Sequence, residues 1–342
     1  MKRIALIIGA TGGIGSETAR ALIASGWTVR ALHRHPQQAA ERFARLGPVE
    51  WLEGDAMNAA QVVAAAAGAS VVVHAANPPG YRNWKGLALP MLESSIAAAQ
   101  AAGARLVFPG TVYNFGPDAF PRVTEAAPQN PTTRKGRIRV AMEQRLKSAA
   151  DAGVPVLILR AGDFFGPNAG NSWFSQGLVK PGRPVRSVTY PGKRHVGHAW
   201  AYLPDMAETI ARLVERESEL EPFAVFHFRG HWFERGVELA EATRRAAGVP
   251  SAAIRRFPWF AIYLLAPFVE TFREMLEMRY LWTESLELDN TKLVAFLGRE
   301  PHTELDRALR DTLQGLGCVD GRATKTAPDA RGNLATSRAA GG

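Results

Sequence analysis

Three glycines, Gly9, Gly12 and Gly15, are regularly spaced in the segment GATGGIG, and their pattern suggests phosphate binding. The apolar run RIALII precedes them and the helix-like run SETARALIASG follows, so the order is strand, glycine turn, helix. A turn without side chains lets backbone N–H groups and a helix N-terminus meet a pyrophosphate. The pattern predicts a dinucleotide site that contains Gly9, Thr11, Gly12, Gly13, Ile14 and Gly15.

The end of the second predicted strand, TVRALH, indicates which dinucleotide is bound. An acid there would accept the ribose hydroxyls of NAD and repel a 2′-phosphate, but LHRHPQQ contains no acid before Glu41. Arg34 stands where a 2′-phosphate needs a charged partner. We therefore expect NADP(H) rather than NAD(H), with a solvated basic turn as the alternative interpretation.

The elements that hold these residues alternate regularly up to about residue 166. Apolar strands with little polar alternation are separated by helices, which is typical of a parallel sheet covered on both faces. The predicted fold is α/β, a Rossmann-type doubly wound parallel sheet with a smaller, mostly helical C-terminal substrate lobe. We expect the dinucleotide-binding domain over 1–166, with sheet contributions from about 196–230, an interleaved lobe over 167–316 and a disordered tail over 317–342.

Several landmarks occur in a fixed order along the chain. They are GATGGIG, Gly54–Asp55, VVVHAAN, LVFPGTVYNFGP, LILRAGDFFGP, AYLPDMAETI and the closing LELDNTKLVAFLGREPHTELDRALRDTL. Together they resemble the extended or atypical short-chain dehydrogenase/reductases, the NAD-dependent epimerase/dehydratase family, over about 1–315. The resemblance implies that Asp55 meets the adenine and Ala56 belongs to the cofactor site, that Ala75, Ala76 and Asn77 line the cofactor, and that residues after Arg160, from Ala161, approach the nicotinamide.

The chain departs from this family at its catalytic pair. The resemblance implies a catalytic proton relay made of a Ser or Thr and a later Tyr-x-x-x-Lys pair. In this relay the tyrosine shuttles the proton and the lysine holds the nicotinamide ribose. Thr111 matches the first position. Aligning Glu143 with the acid that commonly follows the lysine puts Lys135 at the tyrosine position and Arg139 at the lysine position, and no tyrosine occurs between Tyr113 and Tyr190.

Three hypotheses account for the missing tyrosine. Lys135 would be the proton donor if burial and the like charge of Arg139 lower its pKa. Tyr113 would instead supply the hydroxyl from the loop after Thr111. In the third hypothesis the site does no redox chemistry and the protein is an NADP-sensing regulator. A solvated basic helix start is the plain structural alternative for TRKGRIR.

Aromatic and polar loops after the sheet predict the substrate side. NAGNSWFS and YPGKRHVGHAWAY supply aromatic walls with a few polar anchors, as small-molecule pockets require. We expect substrate contacts from Asn171, Trp173, Tyr190, His198 and Trp200. No Cys, His or carboxylate cluster has metal-ligand spacing, so no metal is expected.

The most apolar segment, FPWFAIYLLAPFVETFREMLEMRYLW, is too short in its uncharged part to span a bilayer. We interpret it as packing within the lobe; an apolar lid or interfacial contact at 257–269 are the alternatives.

The net charge of +9 is scattered among acids, and we expect no nucleic-acid partner. A single cysteine, Cys318, favours a cytoplasmic location. Long helices near 86–102 and 134–152 could pair in a homodimer.

These observations predict an NADP(H)-dependent oxidoreductase that acts on a small carbonyl or alcohol substrate. Thr111 would polarise the carbonyl, Lys135 or Tyr113 would handle the proton, and Arg139 would hold the ribose. A nucleotide-sugar epimerase or dehydratase is the alternative within the family, because Arg183, Arg186, Lys193 and Arg194 could bind phosphates. The non-catalytic NADP sensor is the alternative outside enzyme chemistry.

Overall fold

The computed structural model describes residues 3–78 and 83–319. Its strands are β1 (Ile4–Ile8), β2 (Thr28–His33), β3 (Val49–Glu53), β4 (Val71–His74), β5 (Arg105–Thr111), β6 (Arg122–Val123), β7 (Val156–Ala161), β8 (Asp163–Phe165), β9 (Ser187–Tyr190), β10 (His198–Tyr202), β11 (Phe223–Phe228), β12 (His231–Phe233), β13 (Ala253–Arg256) and β14 (Glu287–Leu288). Its α-helices are α1 (Gly13–Ala24), α2 (Pro36–Arg42), α3 (Ala59–Ala65), α4 (Trp84–Ala102), α5 (Arg134–Asp151), α6 (Leu203–Glu215), α7 (Val237–Ala246), α8 (Trp259–Leu265), α9 (Glu270–Glu277), α10 (Thr291–Leu297) and α11 (Leu305–Gly315).

Seven strands form the central sheet in the order β3-β2-β1-β4-β5-β7-β11, and every neighbouring pair is parallel. The strand order reverses beside β1, so β1 and β4 carry the crevice where doubly wound sheets bind ligands. The predicted Rossmann-type fold is confirmed.

Alternate residues of each strand pack on opposite faces of the sheet. Ile7 belongs to the core cluster that contains Leu22 of α1 and Met206 of α6. Leu6 and Ile8 belong to the cluster on the other face, with residues of α3, α4 and α5. Both faces are covered, which explains why the strands are apolar without alternation.

The smaller lobe is built from three short sheets and the later helices. β8, β10 and β12 form one sheet, β9 pairs with β13, and β6 pairs with β14. Of the segment 196–230, β11 joins the central sheet, whereas β10 lies in the lobe. Cys318 is buried in the lobe core, so the described lobe extends past the expected boundary at residue 316; residues 320–342 of the expected tail lie outside the described residues.

The apolar segment 257–282 packs within the lobe only in part: Met278, Leu281 and Trp282 are buried, whereas helix α8 is largely exposed. Ile262 in α8 and Ala266 at its C-terminal end are buried, but Phe260 and Phe268 remain 81% and 84% exposed. A seven-residue helix offers one face to the lobe, so several apolar side chains on its other face are exposed. No helix among the described residues is long and apolar enough to cross a bilayer.

Candidate active site

The glycine turn lies between β1 and α1 at the carboxyl edge of the sheet. Gly9 has φ +93°, and a Cβ there would approach the Ala75 backbone within 2.7 Å. A Cβ on Gly15 would lie 2.2 Å from the Gly9 carbonyl oxygen. Helix α1 begins after Gly12 with no side-chain cap and no acid in its first turn, so its N-terminus is suited to a phosphate. These residues fit a dinucleotide.

The ribose end of this edge carries Arg34 and Asp55. Arg34 is exposed immediately after β2, and the described residues place no carboxylate in ion-pair contact with it. Beside it, His33 Nδ1 accepts a hydrogen bond from the backbone N–H of His35 at 3.0 Å. The Asp55 carboxylate accepts a hydrogen bond from the backbone N–H of Met57 at 2.9 Å. Both side chains lie at strand ends, where the adenosine half of a dinucleotide would need them.

The central pocket opens beyond the ends of β4 and β5. Thr111, Tyr113 and Arg139 line it together with Ala75, Ala76 and Asn77. Thr111 Oγ1 accepts a hydrogen bond from the backbone N–H of Tyr113 at 3.2 Å. The buried Ala161, at the end of β7, is the register partner of Thr111. The fold therefore brings three of the four predicted catalytic residues to one pocket.

Arg139 supplies a fixed positive charge in this pocket. Its side chain is 4% exposed, and Nη2 donates a hydrogen bond to Asn77 Oδ1 at 2.9 Å. The guanidinium lies 5.1 Å from the Trp84 ring centroid and 5.3 Å from that of Phe108. A guanidinium keeps its proton in proteins, so Arg139 can stabilise negative charge but cannot act as a base.

His74, at the end of β4, also lines the pocket and was not among the predicted site residues. Its Nδ1 lies 2.7 Å from Ser95 Oγ, whose hydroxyl donates to the Met91 carbonyl. Nδ1 must therefore be the donor toward Ser95, which leaves Nε2 unprotonated. Burial, with the Arg139 charge second, lowers the pKa of His74 to about 3. His74 is a neutral imidazole that offers Nε2 as a hydrogen-bond acceptor.

This neutral histidine makes stability depend on pH. Between pH 6.5 and about pH 3 the unfolded chain binds a proton at His74 that the folded chain excludes, so stability falls as pH falls through this window. We expect His74→Gln to flatten the dependence by up to about 1.4 kcal/mol per pH unit. Urea unfolding at a series of pH values measures this slope. Titration of the folded His74 imidazole near pH 6.5, followed by NMR, would contradict the assignment.

Lys135 lines a cavity beside the central pocket rather than the central pocket itself. Its side chain is 1% exposed and forms an ion pair with Glu274 of α9 at 3.2 Å. Lys135 lines a neighbouring cavity with Glu270 and Glu274, and Trp84 lines both cavities. Burial lowers the pKa of Lys135 to about 8 although Glu274 acts in the opposite direction; the like charge that contributes is Arg134. The pKa of Lys135 is lowered, as expected from sequence, but the neighbouring charges are those of Glu274 and Arg134 rather than that of Arg139.

The predicted substrate residues fall into two groups. Asn171 lines the central pocket and, with Trp173, an adjoining aromatic pocket that reaches Phe257. Tyr190 lines a further cavity that also contains Phe257. Neighbouring pockets of this set therefore share a lining residue, Asn171 or Phe257.

His198 and Trp200 do not line these pockets. His198 Nε2 contacts Asp163 Oδ2 at 2.8 Å, and its ring stacks on Trp282 with centroids 4.1 Å apart. Trp200 is completely buried in the lobe core, where Phe165 and Phe174 pack against it. Trp200 is therefore a core residue rather than a substrate contact, because a fully buried ring has no surface to offer.

The cavity beyond Phe257 is strongly basic. Its volume is about 510 Å³. Its cationic lining residues are Lys193, Arg194, Arg255, Arg256 and Arg279. Such a cavity attracts an anionic group. No group of three or more His, Cys, Asp or Glu residues in the described part of the chain could hold a metal ion.

Comparison with known proteins identifies the family. A family model, the NAD dependent epimerase/dehydratase family, matches residues 5–226. The uncharacterized protein y4nL of Sinorhizobium fredii is 30% identical over 185 residues, which cover 48% of this chain and 51% of that protein. The chain therefore matches about half the length of this curated relative.

Solved structures share the fold. A UDP-glucose-4-epimerase from Stenotrophomonas maltophila, with bound NAD and formylated UDP-arabinopyranose, has a TM-score of 0.72 at 17% identity, covering 92% of this chain and 98% of that one. A UDP-glucose 4-epimerase from Bifidobacterium longum, in complex with NAD+ and UDP, has a TM-score of 0.69 at 17% identity, with coverage of 92% and 97%. The resemblance inferred from sequence is confirmed: the chain belongs to the NAD-dependent epimerase/dehydratase family.

Proposed function

We propose that the protein is an NADP(H)-dependent oxidoreductase that interconverts a carbonyl and an alcohol on a substrate bearing an anionic group. One observation carries the proposal: Thr111, Tyr113 and Arg139 line the same pocket as Ala75, Ala76 and Asn77. This arrangement offers a hydroxyl, a phenol and a cation around one position beside the expected nicotinamide.

Each residue has a distinct part in the proposed reaction. A bound nicotinamide would donate or accept the hydride. Thr111 would donate a hydrogen bond to the substrate oxygen, and Tyr113 would give its phenolic proton to that oxygen during reduction. Arg139 would stabilise the negative charge that develops on oxygen as the hydride arrives. Oxidation of the alcohol reverses these transfers.

Tyr113 is favoured over Lys135 as the proton donor because of where the two side chains lie. Tyr113 lines the central pocket, whereas Lys135 faces Glu274 in the neighbouring cavity. Lys135 would have to leave its ion pair with Glu274 to reach the substrate. We assign Lys135 to the attachment of α9 to the N-terminal end of α5, since Arg134 also contacts Glu274 and Glu277.

The exposed Arg34 supports the choice of NADP(H). Arg34→Glu is expected to weaken NADPH binding by more than about tenfold while changing NADH binding little, because a carboxylate repels the 2′-phosphate and accepts the ribose hydroxyls. Calorimetric titration of both cofactors measures the ratio. Equal loss for NADPH and NADH would show that Arg34 does not meet the phosphate.

The basic cavity favours a substrate with a phosphate or carboxylate group. It shares Phe257 with the aromatic pocket of Trp173, and that pocket shares Asn171 with the central pocket. The two similar epimerase structures hold UDP or a UDP-sugar derivative. A nucleotide-sugar epimerase is therefore the second candidate, supported by the same five cations.

Two assays distinguish these candidates. NADPH consumption is measured by absorbance with matched anionic and neutral aldehydes and ketones, and we expect the anionic member of each pair to have the higher kcat/KM. Interconversion of UDP-sugars is followed separately by NMR without added reductant, since an epimerase regenerates its own cofactor. Epimerisation without net NADPH consumption would replace the first candidate by the second. Tight NADPH binding without either activity would favour the sensor hypothesis.

A further inference from the structure

Helix α8 and the turn after it form an exposed apolar patch. Six residues make up this α8 patch: Phe260, Tyr263, Leu264, Leu265, Phe268 and Val269, with exposures of 81%, 50%, 65%, 44%, 84% and 37%. They are six of the eight large exposed apolar residues in the described chain, and the other two, Met57 and Val294, stand alone. A patch of this kind marks an interaction surface.

The α8 patch is firmly attached on its inner side. Trp259 Nε1 donates a hydrogen bond to the Pro191 carbonyl at 2.7 Å, and its ring packs against Phe257 with centroids 4.9 Å apart. Arg279 Nη1 donates to the Tyr263 hydroxyl at 2.6 Å. The inner face is used for packing, so the apolar residues on the outer face are displayed to solvent by the architecture itself.

Cations border the α8 patch. Arg255 and Arg256 precede it on β13, Arg273 follows it, and Lys193 and Arg194 belong to the adjoining cavity wall. All five are exposed, and none is ion-paired with a carboxylate of the described residues. Glu270 is the one exposed acid within α8 and the first turn of α9. Aromatic and aliphatic side chains bordered by unneutralised cations match an anionic lipid surface.

A second copy of the chain fits this surface less well. A two-fold contact would place each patch against its equivalent and bring the bordering cations of the two copies together. Their repulsion would oppose the gain from apolar burial. An anionic bilayer accepts both features at once, since acyl chains receive the apolar residues and headgroups receive the cations.

We propose that the α8 patch docks the protein on the surface of an anionic bilayer. Phe260 and Phe268 enter the boundary between headgroups and acyl chains, and Arg255, Arg256 and Arg273 meet lipid phosphates. This docking is peripheral, and because Arg255 and Arg256 also line the basic cavity it is tested by vesicle binding rather than by turnover.

Sedimentation with vesicles tests the proposal on the full chain. We expect binding to mixed phosphatidylcholine and phosphatidylglycerol vesicles that weakens with added salt, and much weaker binding to pure phosphatidylcholine. Phe260→Ser with Phe268→Ser should lower the partition coefficient by about tenfold or more for each residue. Arg255→Gln with Arg256→Gln should lower it by about fivefold for each charge. The matched control Val294→Ser removes an exposed apolar residue outside the patch and should leave binding unchanged.

Circular dichroism melts check that the variants are folded, and light scattering measures their oligomeric state. Folded Phe260→Ser/Phe268→Ser protein that binds mixed vesicles as the wild type does would overturn the proposal, as would equal binding to neutral vesicles. A wild type that ignores vesicles but loses an oligomeric state on these two substitutions would assign the patch to a second copy instead.

Discussion

Tyr113→Phe is expected to lower kcat by about 10²- to 10⁴-fold, the usual contribution of a positioned proton donor. NADPH affinity should change little, because the substitution removes one hydroxyl and keeps the ring that packs beside Val112 and Phe115. Absorbance assays at saturating NADPH, paired with calorimetric binding of the cofactor, separate these two effects. The expectation rests on the shared pocket of Tyr113, Thr111 and Arg139.

Lys135 provides the matched comparison. Lys135→Met alone would remove one of the two cations paired with the buried Glu274, leaving only Arg134, and would weaken the attachment of α9. The double variant Lys135→Met/Glu274→Gln removes both charges and is expected to keep kcat within about tenfold of wild type, since neither group touches the reacting atoms. If this double variant loses turnover while Tyr113→Phe retains it, Lys135 rather than Tyr113 is the proton donor.

The sheet and the cofactor edge were predictable because their signals are local. Continuous apolar runs such as VVVH and VLILR report burial on both faces, and the glycine turn follows β1 directly. The parallel order then brings the residues after β4 and β5 together, although Asn77 and Arg139 are far apart in sequence. Strand ends in a parallel sheet therefore allow a site to be inferred without knowledge of side-chain contacts.

The environment of Lys135 could not be predicted in this way. Its pairing with Glu274 depends on how the lobe folds back onto α5, across a long separation in sequence. The same is true of Trp200, whose loop composition suggested a substrate wall but whose ring completes the lobe core. His74 did carry a signal, since a histidine that ends an otherwise apolar buried strand requires a polar partner.

Glu143→Ala is expected to lower the free energy of unfolding by about 3–5 kcal/mol, because it leaves a buried arginine uncompensated. Arg160 Nη2 and Nε contact the two Glu143 carboxylate oxygens at 2.6 and 3.1 Å, and both side chains are nearly inaccessible. Arg160 Nη1 also lies 3.1 Å from Nε2 of His227, which accepts because Nδ1 is directed at the Val123 carbonyl. This network joins α5 to β7 and β11.

The C-terminal end of α5 supplies the control. Asp151 pairs with Lys147 on the same helix but is 63% exposed, so Asp151→Ala should change the free energy of unfolding by less than about 1 kcal/mol. Urea unfolding of both variants gives the comparison, and equal small losses would show that the buried pair contributes no more than the exposed one. NADPH affinity should fall only in Glu143→Ala, because Arg139 lies one helical turn from Glu143 and depends on the same anchoring of α5. Glu143, the acid used to locate the position of the missing tyrosine in the sequence, thus holds in place helix α5, which carries the pocket cation Arg139.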